Sequence, residues 1–150
     1  MVLMRTLLPL VLACSSVALC QGQSGSSAPA PSPGFTALVK DAKTRVKEIS
    51  IEDLKKLQSS EAKFTLIDVR EDNEWTAEHA AGATHLGRGI LDRDIEAKVP
   101  AKDAKLVLYC GGGSRSALAA DVLTKMGYTD VASLAGGMRA YKAAGLPTEK

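Results

Sequence analysis

Leu106-Val107-Leu108-Tyr109, then Cys110-Gly111-Gly112-Gly113-Ser114-Arg115-Ser116, then Ala117-Leu118-Ala119-Ala120-Asp121-Val122-Leu123 run on without a break in this 150-residue chain. The first piece is an apolar run of strand length and the last is a helical pattern. A nucleophile therefore stands where a buried strand ends, and a glycine-rich loop carries the chain from it into the first turn of a helix. Such a loop turns backbone N–H groups toward one point, and the unpaired N–H groups and positive dipole end of the helix add to them. Gly111, Gly112 and Gly113 take away the side chains that would block the cradle. The arrangement stabilises an anion: the Cys110 thiolate or a negative sulfur species attached to it. The plain alternative is a buried, inert cysteine beside a glycine turn.

Outward from this stretch, short apolar runs alternate with helical patterns. Lys47-Glu48-Ile49, Phe64–Val69, Thr84-His85-Leu86, Lys105–Tyr109 and Val131–Leu134 are predicted strands. The longer ones lack clean alternation, which suits strands covered on both faces. Helices are predicted over Phe35–Val46, from Ile51 to about Ser59 after a capping-box-like Ser50, over Asp72–Glu78, Ile90–Lys98, Ser114–Met126 and Met138–Ala144. The alternation predicts an α/β domain with a central, mainly parallel five-stranded sheet flanked by helices. The cysteine loop follows the carboxyl end of a strand, where open sheets of this class place ligands.

Cys110 to Ser116, followed by Ala119-Ala120, resembles the active-site loop of the single-domain rhodaneses. Three further segments resemble that family in order and spacing: Leu66–Glu71 with Glu74-Trp75, Ala77–Ala83, and Leu134–Met138 running on to Gly145-Leu146-Pro147. Together they span Ile49 to Pro147. Glu78, Ala80 and Ala81 depart from the family's glycine, isoleucine and proline, and Tyr141 stands where a tryptophan is common; these positions bear on packing and turn geometry. The resemblance implies a sulfurtransferase in which Cys110 carries a sulfur atom as a persulfide, taken from thiosulfate or a related small donor such as a polysulfide or low-molecular-weight persulfide. A thiol-bearing protein is a possible acceptor.

That exchange needs a low-pKa thiol and an anion cradle rather than a general base. Gly111, Gly112, Gly113, Ser114, Arg115 and Ser116 are the expected binding loop. Arg115 either compensates negative charge or ties the loop to a carboxylate such as Asp68. By resemblance Asp68 and Arg70 support the frame of the site; otherwise they form an ordinary surface ion pair. Arg88, in Gly87-Arg88-Gly89, either meets an anionic donor at the mouth or is a solvated loop charge. His79 and His85, the only histidines, are expected in packing or hydrogen-bonding roles. No closely spaced Cys/His set suggests a metal, and no cofactor is expected. Two rivals compete. A cysteine phosphatase or arsenate reductase also runs a loop from cysteine to arginine, but its loop is usually one residue longer and has a histidine where Tyr109 stands. A non-catalytic persulfide carrier or docking module would share the loop.

Hydrophobic residues make up 45% of the chain, and its mean hydropathy is near zero, which suits one globular core with appendages. A net charge of +2, no basic block and 4% aromatics give no nucleic-acid footprint. Arg5 followed by Leu7–Cys14 reads as an export signal within residues 1–20, and residues 21–34, rich in Ser, Gly, Pro and Ala, read as a disordered tether to a domain over 35–150. Val11–Ser15 resembles a lipoprotein processing site at Cys14, while Ala18-Leu19-Cys20 offers a cleavage site near Cys20. The expectation is export to the periplasm, or a lipid anchor at a bacterial envelope membrane, with membrane contact only through that anchor. Cys110 is then the only thiol of the globular part, so no disulfide forms within it.

Overall fold

Strand parity decides how this chain folds around its cysteine. A computed structural model describes residues 30–150; the expected export signal, with Cys14 and Cys20, and residues 21–29 of the expected tether lie outside the described residues. The elements in order are α1 (Pro33–Lys43), β1 (Lys47–Ile49), α2 (Ile51–Ser59), β2 (Thr65–Asp68), α3 (Asp72–Ala77), β3 (His79–Ala80), β4 (Thr84–His85), α4 (Leu91–Lys98), β5 (Lys105–Tyr109), α5 (Ser114–Lys125), β6 (Asp130–Leu134), α6 (Gly137–Ala143) and β7 (Thr148–Glu149). Five strands form one parallel sheet in the order β1-β6-β5-β2-β4, with β5 at its centre. The expected α/β class and five-stranded sheet are those observed.

Because successive side chains of a strand point to opposite faces, β5 divides its residues between two cores. Leu106, Leu108 and Cys110 join Leu91 and Ile95 of α4 and Ala119, Ala120 and Leu123 of α5 on one face. Val107 and Tyr109 join Leu54 of α2 and Met138 and Tyr141 of α6 on the other. Both sets are apolar, which is why the sequence shows a continuous run. Tyr141, fully buried, fills its position and donates its hydroxyl to the Pro147 carbonyl at 2.9 Å.

Two features differ from the sequence reading. The tether was expected to reach residue 34, but α1 begins at Pro33. Ser32 accepts from the Phe35 N–H at 3.3 Å as N-cap, and proline at the first helical position already has the required φ. The second is a small antiparallel sheet in which β3 pairs β7, His79 opposite Glu149 and Ala80 opposite Thr148. Strands of two residues show no periodicity. Among the described residues no helix is long and apolar enough to cross a membrane.

Helix α1 buries Val39 and Ala42 and lies on α5, where Arg45 clamps the pair. Its Nε and Nη2 donate to Asp121 of α5 at 3.0 and 3.1 Å, and Lys125 donates to the same carboxylate at 2.7 Å. The Arg45 bonds first, then Lys125, hold Asp121 down at about 2 against an ordinary 3.8. A depressed carboxyl adds stability that is fully present above its unfolded value and drains away as pH falls through the folded one. Asp121→Asn is therefore expected to lower the urea midpoint at pH 7, with the gap from wild type closing as pH approaches 2. A gap independent of pH would show that the clamp is not ionic.

Candidate active site

Cys110 leaves the end of β5 on the α5 side of the sheet, with only 1% of its surface exposed. The Gly113 N–H donates to Sγ at 3.1 Å and the Ser116 hydroxyl at 3.6 Å. Ser116 Oγ is 2.9 Å from Ser133 Oγ of β6, on the same face of the sheet. A hydroxyl has one proton to give, so when Ser116 donates to sulfur, Ser133 donates to Ser116. Burial pushes the Cys110 thiol up, but the Ser116 hydroxyl and the amides of Ser116, Gly112 and Gly113 together outweigh it and hold the thiol below its ordinary value.

The loop is aimed from behind by the start of α6. Met138 N–H donates to the Cys110 carbonyl at 2.7 Å and Arg139 N–H to the Gly111 carbonyl at 3.2 Å. In a trans peptide the carbonyl and the following N–H point opposite ways, so holding these carbonyls toward α6 turns the Gly111 and Gly112 amides away from it. Close approach makes Gly137 obligatory: a Cβ there would overlap the Cys110 carbonyl oxygen and lie 3.0 Å from Gly112 N.

Asp68 and Arg70 are buried, at 0% and 6% exposure, so they are not a surface ion pair. Arg70 Nε donates to both Asp68 oxygens at 3.0 and 2.9 Å, its backbone N–H donates to Oδ1 at 2.9 Å, and its Nη2 donates to the Glu78 carbonyl at 2.7 Å. The pair flanks the Tyr109 ring, behind the sheet from the sulfur. Asp68 faces the α2–α6 layer, and Arg115 turns elsewhere. Its two terminal nitrogens donate to Glu74 of α3 at 2.6 and 2.9 Å, and Glu71 lies 3.6 Å away. The Arg115 bond holds the Glu74 carboxyl below its usual range.

Arg88 is exposed and lines a cavity of about 110 Å³ with Leu91, Asp92, Ala119 and Val122. None of the residues Cys110–Ser116 lines that cleft. Trp75 stacks between His79 and His85, at ring-centroid separations of 3.4 and 4.8 Å; His79 donates to the Trp75 carbonyl and His85 to the Arg70 carbonyl, each at 3.1 Å. Sequence reasoning missed Ser133 and Arg139. A serine within the apolar Val131–Leu134 run was a signal for the first. Arg139 gave none, since its guanidinium reaches Gly112 only through the tertiary packing of α6.

A family model for the rhodanese-like domain matches residues 50–144. The chain belongs to the rhodanese-like domain family. Thiosulfate sulfurtransferase PspE of Escherichia coli is 36% identical over 73 residues, 49% of this chain and 69% of that protein. A protein of unknown function from Rhodopseudomonas palustris, described as a possible tyrosine phosphatase, superposes with a TM-score of 0.70 at 32% identity, covering 82% of this chain and all of that one. The polysulfide-sulfur transferase homodimer of Wolinella succinogenes gives a TM-score of 0.66 at 29% identity, covering 77% and 87%. The chain spans only about a quarter to about half the length of several curated relatives. This rhodanese-like domain therefore has sulfurtransferases among its relatives, and α1 precedes the matched region.

The depressed thiol has a measurable consequence. The rate of Cys110 alkylation by iodoacetamide should rise with pH to a midpoint below that of a free cysteine, and Ser116→Ala, which removes a donor to the thiolate, should move the midpoint up. Identical midpoints in the two proteins would remove Ser116 from the cradle. Gly137→Ala should lower both stability and alkylation rate, because its Cβ forces apart α6 and the loop it holds.

Proposed function

We propose that this rhodanese-like protein is a sulfurtransferase that moves a sulfane sulfur from thiosulfate or a related donor to a thiophilic acceptor through a Cys110 persulfide. The observation that carries the reading is a buried Sγ surrounded by N–H and O–H donors, with no side-chain base among the described residues that bond it. The thiolate attacks the outer sulfur of thiosulfate, a sulfur–sulfur bond forms to Cys110, and the bond within the donor breaks. Sulfite leaves with the electron pair. The terminal sulfur of the persulfide keeps the negative charge, for which the loop amides are the cradle. A nucleophilic acceptor such as cyanide then takes that sulfur and returns the thiolate, so no proton has to move.

Two features weigh against phosphatase chemistry. Only four residues separate Cys110 from Arg115, and the Arg115 guanidinium is committed to Glu74 rather than free to grip an oxyanion. The segment over residues 1–20 supports an exported setting, in which the persulfide would meet small donors and thiol proteins outside the cytoplasm.

Incubation of the protein with thiosulfate should add one sulfur atom by intact mass, and cyanide should discharge it as thiocyanate through repeated cycles. Cys110→Ser should abolish loading while the fold persists; undiminished loading of that variant would sink the assignment. Loading without repeated cycling would instead favour a carrier.

A further inference from the structure

Two arginines border the loop, and they are in different electrostatic states. Arg115 lies against Gly111 and is held bidentate by Glu74, with Glu71 beyond it, so on that side one cation faces two carboxylates. Arg139 lies against Gly112. A Cβ on Gly112 would overlap Arg139 Nη2 and come within 3.1 Å of its Cζ, so the guanidinium rests directly on the Gly112 backbone. Among the described residues no carboxylate is within salt-bridge distance of Arg139, and its side chain makes no hydrogen bond there. The Gly112 amide is one of those that depress the thiol, so this unpaired cation rests on a residue of the sulfur cradle.

We propose that Arg139 is the residue that selects the donor, binding the sulfonate of a thiosulfate-type dianion while its outer sulfur faces Cys110. The inference rests on the sulfurtransferase reading above. Thiolate attack on a dianion brings three negative charges together, and a border holding only Arg115, Glu74 and Glu71 would repel them. A guanidinium matches the planar pairs of oxygens on a sulfonate and stays charged at any working pH. It also faces the group on which charge accumulates as sulfite departs. Gly112 is needed here for space: a side chain would displace the guanidinium.

The test compares wild type, Arg139→Lys and Arg139→Ala in two reactions. The first is sulfur gain at Cys110 from thiosulfate, followed by intact mass. The second is alkylation by iodoacetate and by iodoacetamide, which differ in charge and require no sulfur transfer. Arg139→Ala should slow thiosulfate loading about tenfold or more and, at a pH above the thiol midpoint of each protein, cut the iodoacetate-to-iodoacetamide rate ratio severalfold. Arg139→Lys should retain much of both. Equal slowing of both alkylating agents would mean that Arg139 only supports the loop, and no slowing of thiosulfate would mean that its guanidinium does not meet the donor; either overturns the proposal. A wild-type protein that fails to load from thiosulfate yet prefers iodoacetate in an Arg139-dependent way would overturn the thiosulfate assignment and leave Arg139 as an anion-selecting residue.

Discussion

The Met138 N–H donating to the Cys110 carbonyl at 2.7 Å is the contact on which the site turns. A peptide unit is planar, so fixing one carbonyl fixes the amide on its other side. The start of α6, arriving from the far end of the chain, therefore decides where the loop amides of Gly111 and Gly112 point. Gly137 brings the two backbones into contact, since a Cβ there would overlap the Cys110 carbonyl oxygen, and a Cβ on Gly136 would overlap Ala140 Cβ within α6. The sulfur's environment is thus built from three places: the end of β5, the first turn of α5, and the turn from β6 into α6. Ser133 adds a fourth contact by orienting the Ser116 hydroxyl from the neighbouring strand β6.

The charges around the site fall into two groups separated by the sheet. Behind it, Asp68 and Arg70 neutralise each other in a buried pair that spans the end of β2 and the Glu78 carbonyl beside the Tyr109 ring. Removing one partner of such a pair strands the other in a dry place, which typically costs about 3–5 kcal/mol. In front, Arg115 is held by Glu74 with Glu71 nearby, and Arg139 is exposed.

Much of this was legible in the residues, and the parts that were not have a common cause. The β5–loop–α5 stretch declares itself because strand, glycine turn and helix are local patterns, and Ser50 with Asp53 announces the start of α2 in the same way. Pairings between distant elements leave no such trace. Arg115 meets Glu74 rather than Asp68 because parity along β2 turns Asp68, like Leu66, to the α2–α6 face, where Arg70 binds both of its oxygens. Strands β3 and β7 are too short for alternation to register. Arg88 sits in a glycine-flanked loop whose direction is set by its N–H bond to the Val69 carbonyl at 3.1 Å, a contact that depends on the sheet.

Parity along β5 has an implication for how this chain tolerates changes in length. Cys110 and Tyr109 serve opposite layers only because they are adjacent in a period of two. Inserting or deleting one residue within Lys105–Tyr109 would rotate the sulfur into the α2–α6 layer and turn the Tyr109 phenol toward α5. Changes in length are compatible with sulfur chemistry only where they leave that count intact, in the connections ahead of Lys105, such as the turn from α4 into β5.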